Sequence, residues 1–160
     1  MTGFSRVKLY LAGPDVFRPD AAQWAASVRV QCSAAGHEAL VPLENEPVSA
    51  TAIYRNNLQL IAAADCVLAN LNPFRGAEPD SGTCVEIGYA LALGKRVIGY
   101  AADLRPLRDR LAATDVDGSC RDAAGWKVED FGLPLNLMLA VPLRLTEGSL
   151  DDALRELDRA

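Results

Sequence analysis

Two carboxylates flank a turn of small residues in the stretch Pro79-Asp80-Ser81-Gly82-Thr83-Cys84-Val85-Glu86-Ile87-Gly88. The turn opens a helix that is otherwise apolar as far as Gly94. A carboxylate in such a helix is expensive to desolvate unless it is paired, hydrogen-bonded or used. Glu86 is therefore the first candidate for chemistry, as a nucleophile or a base, and Asp80 faces the same space from the preceding loop. Each also has a plain structural reading. Thr83-Cys84-Val85-Glu86 fits a capping box with Thr83 as N-cap, and Asp80 is a usual turn or cap residue.

Other polar residues stand out against their surroundings. Tyr10 lies in an apolar strand, where its hydroxyl needs a partner. That partner is either backbone or a carboxylate placed after the third strand. Asn57 interrupts an apolar helical stripe, and a buried amide must be satisfied, by a neighbouring loop or in a site. Asp15, after Gly13-Pro14, is a turn former or a ligand group. Ser81-Gly82-Thr83 could cradle a phosphate at a helix start, but the glycine spacings of triphosphate- and dinucleotide-binding loops are absent. His37 follows Gly36 in a loop and is expected in solvent, with nothing beside it to complete a metal site or a triad. Cys32, Cys66, Cys84 and Cys120 are far apart with no Cys-x-x-Cys, which argues against disulfide or zinc frameworks. No metal or cofactor is expected.

The 160 residues suggest one domain, residues 1–160, able to bury a core without staples. The net charge of −5 and the lack of a basic stripe argue against nucleic acid as a partner. A small neutral or cationic ligand suits this charge better than a polyanion. No apolar run approaches the ~20 residues that span a bilayer, and Met1 to Leu9 has too short an apolar segment for a signal peptide. A cytoplasmic protein with no membrane association is the expectation.

Strands and helices alternate. Apolar runs predict strands at 7–12, 38–41, 66–71, 96–100 and 141–145. Between them the spacing predicts a helix opened by Pro19-Asp20 with the stripe Trp24, Val28 and Cys32 and a Gly36 C′ cap. A second runs from Ser49 to about Ala64 with Ile53, Leu60, Ile61 and Ala64 on one face. The helix carrying Glu86 follows. A short helix is expected within 104–112 and another starting at 133–138. Residues 114–125, polar and turn-rich, predict a mobile loop. A last helix is opened by a Ser149/Asp152 capping box. The pattern is a doubly wound α/β sandwich, flavodoxin-like, with a parallel sheet of about five strands in the order 2-1-3-4-5. Ligands of such folds bind beyond the carboxyl ends of the strands. The segments there are Gly13-Pro14-Asp15, the loop after the second strand and the 72–83 loop, which is where the polar candidates collect.

Several blocks in order resemble the nucleoside 2-deoxyribosyltransferases. They are Tyr10-Leu11-Ala12-Gly13-Pro14, Asn57 with Ala64-Asp65, Asn72-Pro73-Phe74-Arg75-Gly76-Ala77-Glu78-Pro79-Asp80-Ser81-Gly82-Thr83 leading into Glu86-Ile87-Gly88, and Phe131-Gly132-Leu133-Pro134-Leu135-Asn136-Leu137-Met138. The likeness runs from about residue 7 to about 158 and is strongest to a protozoan and bacterial branch. It implies an enzyme of nucleoside salvage that cleaves the N-glycosidic bond of a 2′-deoxynucleoside and passes the sugar to another free nucleobase. By the same resemblance Glu86 is the nucleophile, forming a covalent deoxyribosyl-enzyme by ping-pong with retention of the β configuration. Tyr10 orients it and Asp80 grips the sugar hydroxyls. Gly13, Asp15, Phe17, Asn57, Gly82, Asn136 and Met138 are the expected substrate-binding positions, with base selectivity assigned to Asp15, Val16, Phe17 and the 42–48 loop. Asn136 and Met138 would reach the site of a neighbouring subunit, which implies a homo-oligomer. Some members carry an aspartate at the place of Asn57, a candidate donor of the leaving base's proton. An amide has no such proton to give, so the general acid stays open: Asp15 or Asp80 supplies the proton, the base is only hydrogen-bonded, or Glu86 and water share the work.

Three rivals share these residues. One is a deoxynucleoside 5′-monophosphate N-glycosidase, disfavoured because Asp80 would repel a phosphate. A second is a phosphoribohydrolase with a Pro-Gly-Gly-x-Gly-Thr loop, weakened because Asp80 and Ser81 replace its glycines. The third is a non-catalytic nucleoside- or nucleotide-sensing module on the same scaffold.

Overall fold

The computed structural model describes residues 6–43 and 49–159. Five strands form one parallel sheet: β1 Lys8–Ala12, β2 Glu38–Leu40, β3 Cys66–Asn70, β4 Arg96–Ala101 and β7 Arg144–Glu147. Their order is β2-β1-β3-β4-β7, the doubly wound order expected. Tyr10 registers with Leu40 on one side and Val67 on the other. Helices α1 Ala21–Ala34 and α6 Leu150–Asp158 cover one face, α2 Ala50–Ala63 and α3 Ser81–Ala92 the other.

Alternation along the strands decides which residue meets which layer. Leu9 and Leu11 join Cys66, Leu68 and Ile98 in the cluster under α1 and α6. Tyr10 and Ala12 join Val67, Ala69, Ile61 and Ile87 in the cluster under α2 and α3. Tyr10 is fully buried there. This puts its hydroxyl on the side of the sheet that carries Glu86.

Four local expectations are corrected. His37 is 5% exposed, with Nε2 3.3 Å from Asp158 Oδ1 at the end of α6. The loop that holds it is tucked between the end of α1 and β2, which begins at the next residue. The predicted loop at 114–125 contains a hairpin, β5 Thr114–Val116 paired antiparallel with β6 Ser119–Arg121. Asp117 and Gly118 make its two-residue turn, both at positive φ (48° and 74°). An Asp-Gly pair supplies that geometry, and it was the readable signal. The short helices are α4 Leu107–Arg110 and α5 Leu137–Ala140. Because α5 runs on to Ala140, the last strand starts at Arg144 rather than Val141, which is exposed as the helix C-cap. The fourth correction, the cap of α3, belongs to the site.

Candidate active site

Glu86 lies in the second turn of α3, beside the buried Thr83, Ile87 and Ala90. The N-cap of this helix is Asp80, not Thr83. Asp80 Oδ2 accepts hydrogen bonds from Thr83 N at 2.9 Å and Thr83 Oγ1 at 3.1 Å. Thr83 is only 1% exposed, so its hydroxyl is satisfied by the cap instead of making one. Glu86 is thereby released from the capping role that its spacing allowed.

Its carboxylate is held by two other elements. The Tyr10 hydroxyl donates to Glu86 Oε1 at 2.7 Å, and Asn57 Nδ2 of α2 donates to the same oxygen at 3.2 Å. Among the described residues no hydrogen bond reaches Oε2. The carboxylate is thus anchored through one oxygen. Asn57 Oδ1 is also buried without a partner.

The electrostatics follow from burial. Desolvation pushes the Glu86 carboxyl above its ordinary range. The hydrogen bonds from Tyr10 and Asn57 oppose that shift, and the charge of Asp80 adds to it. Burial likewise drives the Tyr10 phenol far up, reinforced by the Glu86 charge and the hydrogen bond between them. The phenol therefore stays protonated and acts as a donor. Of this pair, the group left to change its ionisation is Glu86.

Above Glu86 opens a cavity of about 400 Å³ at the carboxyl ends of the strands. That volume falls in the range of small-molecule sites. Its walls are Gly13, Val16 and Phe17 after β1, Pro42 and Leu43 after β2, Ile53 and Asn57 of α2, and Asp80, Gly82, Thr83 and Glu86 after β3. Three loops and two helices thus converge on a mostly apolar recess with two carboxylates. Gly13 is required by close approach, since a Cβ there would stand 2.8 Å from Cβ of Asn70.

A profile of the family described as nucleoside 2-deoxyribosyltransferase matches residues 9–138, which span every element of this site. The chain belongs to that family.

A 2-desoxiribosyltransferase from Leishmania mexicana is similar in structure, with a TM-score of 0.81 and 34% identity over 94% of this chain and 97% of that one. A 2-deoxyribosyltransferase from Bacillus psychrosaccharolyticus (TM-score 0.59, 20% identity, 96% and 91% covered) shares the fold. So does a CMP N-glycosidase from Clostridium botulinum (TM-score 0.54, 17% identity, 96% and 99% covered). An uncharacterised protein of Schizosaccharomyces pombe is 27% identical, with 98% of this chain and 92% of that protein covered. The deoxyribosyltransferase relatives are enzymes.

Against this family background the expected positions divide in two. Tyr10, Gly13, Phe17, Asn57, Asp80, Gly82 and Glu86 gather at one cavity or on its floor. Asp15 is beside it but turned away, with Oδ2 accepting from Asn70 Nδ2 at 2.7 Å. Asn136 and Met138 lie elsewhere in the chain. With Pro79, Ser81, Cys84 and Leu139 they line a second cavity on the other side of α3. Asn136 caps α5 and donates to Glu129 Oε1 at 2.9 Å, while Met138 is 73% exposed. Of the 42–48 loop, Pro42 and Leu43 reach the cavity, and 44–48 lie outside the described residues.

Two contributors were not legible as such. Ile53, read as part of the buried stripe of α2, is 45% exposed and faces the cavity. Asn70 ends β3 and bonds both Asp15 and the backbone of Asn72. An asparagine closing the apolar run Cys66-Val67-Leu68-Ala69 was the signal for it.

Proposed function

We propose that the protein transfers 2-deoxyribose between nucleobases, with Glu86 as the nucleophile. What carries this reading is the one-sided tethering of the carboxylate. Tyr10 and Asn57 hold Oε1, no hydrogen bond among the described residues reaches Oε2, and Glu86 lines the cavity. In the first half-reaction Oε2 attacks C1′ of a 2′-deoxynucleoside. The C1′–N bond breaks with its electron pair going to the base, and a deoxyribosyl ester forms on Glu86. Covalent capture divides a hard displacement into two easier ones. The negative carboxylate also stabilises the oxocarbenium-like transition state. A second base then attacks C1′ from the face the first one left and releases Glu86. Two inversions give retention.

The supporting groups have separate tasks. Tyr10 fixes the attacking carboxylate and loses no proton. Asp80 lines the cavity while its Oδ2 caps the helix, which suits a grip on sugar hydroxyls through the other oxygen. An anion at the start of α3 also works against a 5′-phosphate there, because the helix N-terminus is already occupied by a charge. This favours nucleosides over nucleotides.

The protein acts on this reading as a homo-oligomer in cytoplasmic nucleoside salvage, with Asn136 and Met138 completing a neighbour's cavity. Support for the assembly is the exposure of Phe131, Met138 and Val141, at 69%, 73% and 70%. Large apolar side chains so placed are usual at interfaces.

The test is base exchange. The protein is incubated with 2′-deoxyinosine or thymidine and a second free base, beside Glu86→Ala. New deoxynucleoside from the wild type alone supports the reading. Release of free base without exchange identifies a hydrolase. Exchange by Glu86→Ala at the wild-type rate removes Glu86 as the nucleophile.

A further inference from the structure

The turn that carries Phe17 buries no side chain in the core, though Asp15 two residues earlier is tied to Asn70 at the end of β3. Residues Pro14–Phe17 form a single 3-10 turn between β1 and α1 in which no residue is buried. Phe17 is 56% exposed, yet it forms part of the cavity wall. A half-exposed aromatic on a short turn needs something outside the core to hold it.

The holder comes from the loop after β3. Phe74 stacks on Phe17 with ring centroids 5.6 Å apart and planes 13° from parallel. The guanidinium carbon of Arg75 lies 4.7 Å from the Phe74 centroid and 5.2 Å from that of Phe17. Both distances are within cation–π range. Arg75 reaches this position with φ at 54°, an uncommon backbone conformation for a residue with a Cβ. Neither Phe74 nor Arg75 lines the cavity above Glu86. The same loop is itself fixed at both ends. Asn72 Oδ1 accepts from Ala102 N at 2.9 Å, and Phe74 N donates to Glu78 O at 3.0 Å just before Asp80.

We propose that Phe74 and Arg75 are positioning residues that set substrate affinity by clamping Phe17 as a wall of the nucleoside cavity. The clamp ties the loop after β1 to the loop after β3, so the two sides of the cavity keep their spacing while empty. A ligand then meets a formed wall and orders less of the protein on binding. Chemistry at Glu86 is untouched, because neither residue contacts it. The proposal rests on the reading of this cavity as the nucleoside site.

Steady-state kinetics of base exchange test it. Phe74→Leu and Arg75→Ala are expected to raise the KM for the deoxynucleoside about five- to tenfold, the scale of an aromatic pair and a cation–π contact. The kcat should stay within about twofold, since ground-state and transition-state binding fall together. Phe74→Tyr, which keeps the ring, should restore the wild-type KM. In a Phe17→Leu background, Phe74→Leu should cost nothing further. Wild-type KM in both Phe74→Leu and Arg75→Ala, or full additivity of the Phe17 and Phe74 effects, overturns the clamp. An inert wild type sinks the site reading and the clamp with it. An active wild type with unmoved KM sinks the clamp alone.

Discussion

On one side of α3, Glu86 meets Tyr10 from β1 and Asn57 from α2, all inside one chain. On the other side, Cys84 and Ile87 of the same helix border a cavity of about 520 Å³ whose far wall is Asn136, Met138 and Leu139. The first side joins a fully buried tyrosine to the half-buried Glu86 and Asn57 by hydrogen bonds. The second leaves Met138 and its neighbours Phe131 and Val141 largely in solvent. A charged group out of water must be held by its own chain, or the fold is destabilised. An apolar surface carries no such requirement and can be left for association. The contrast teaches that one helix can hold a carboxylate on one face with donors of its own chain while the opposite face leaves apolar side chains in solvent.

The sharpest way to break this comparison is to remove the charge on the closed side. Glu86→Gln keeps an oxygen for Tyr10 and Asn57 but removes the proposed nucleophile. Exchange is expected to fall by at least about a thousandfold with the fold retained, read by activity and circular dichroism. The open side is tested by Met138→Glu. A charge in an interface core is unfavourable, so the oligomer should dissociate, with activity falling in step and the subunit still folded. Sedimentation velocity checks this. An unchanged assembly with full activity would mean that the open face is not the interface.

A smaller effect is expected at the tether. Tyr10→Phe removes one hydrogen bond to a charged acceptor, about 10- to 100-fold in kcat. It also removes a group that holds the Glu86 pKa down. The acid limb of kcat/KM should therefore move to higher pH in the variant, since the ionised carboxylate is the reacting form. A limb that stays in place would separate Tyr10 from the ionisation of Glu86.

The smallest effect is on stability. Burial raises the Glu86 pKa on folding, so the folded state holds that proton more tightly than the unfolded chain. The stabilisation linked to it is complete below the unfolded carboxyl value, about 4.3, and is lost as pH rises through the folded value. Glu86→Gln should therefore melt above the wild type at neutral pH. The difference should shrink toward the ordinary carboxylate range. Melting curves across pH 4–8 read it.

Much of the closed side could be read along the chain. The apolar run at 7–12 put Tyr10 in a buried strand, and the apolar helix singled out Glu86. The spacing of Thr83 and Glu86 misled, because a capping box depends on which residue leaves the helical conformation first, and that residue is Asp80. His37 misled for a similar reason. A glycine before it marked a loop, but the packing of α6 over that loop is a contact between residues 121 apart. The Phe17–Phe74–Arg75 stack and the exposure of Ile53 were equally out of reach, since they join segments with no shared periodicity.

Strand alternation, cap residues and the order of the matched blocks determined the layered fold and the strand order, and singled out Glu86 as the candidate carboxylate. These depend on local propensity and on patterns of period 2 and 3.6, which are written along the chain. Tertiary structure decided that Tyr10 and Asn57 share one oxygen of Glu86, that Asp15 turns to Asn70, and that Asn136 and Met138 stand on the far side of α3. Those outcomes depend on the distance between side chains carried by different elements, and helix-on-sheet packing sets that distance.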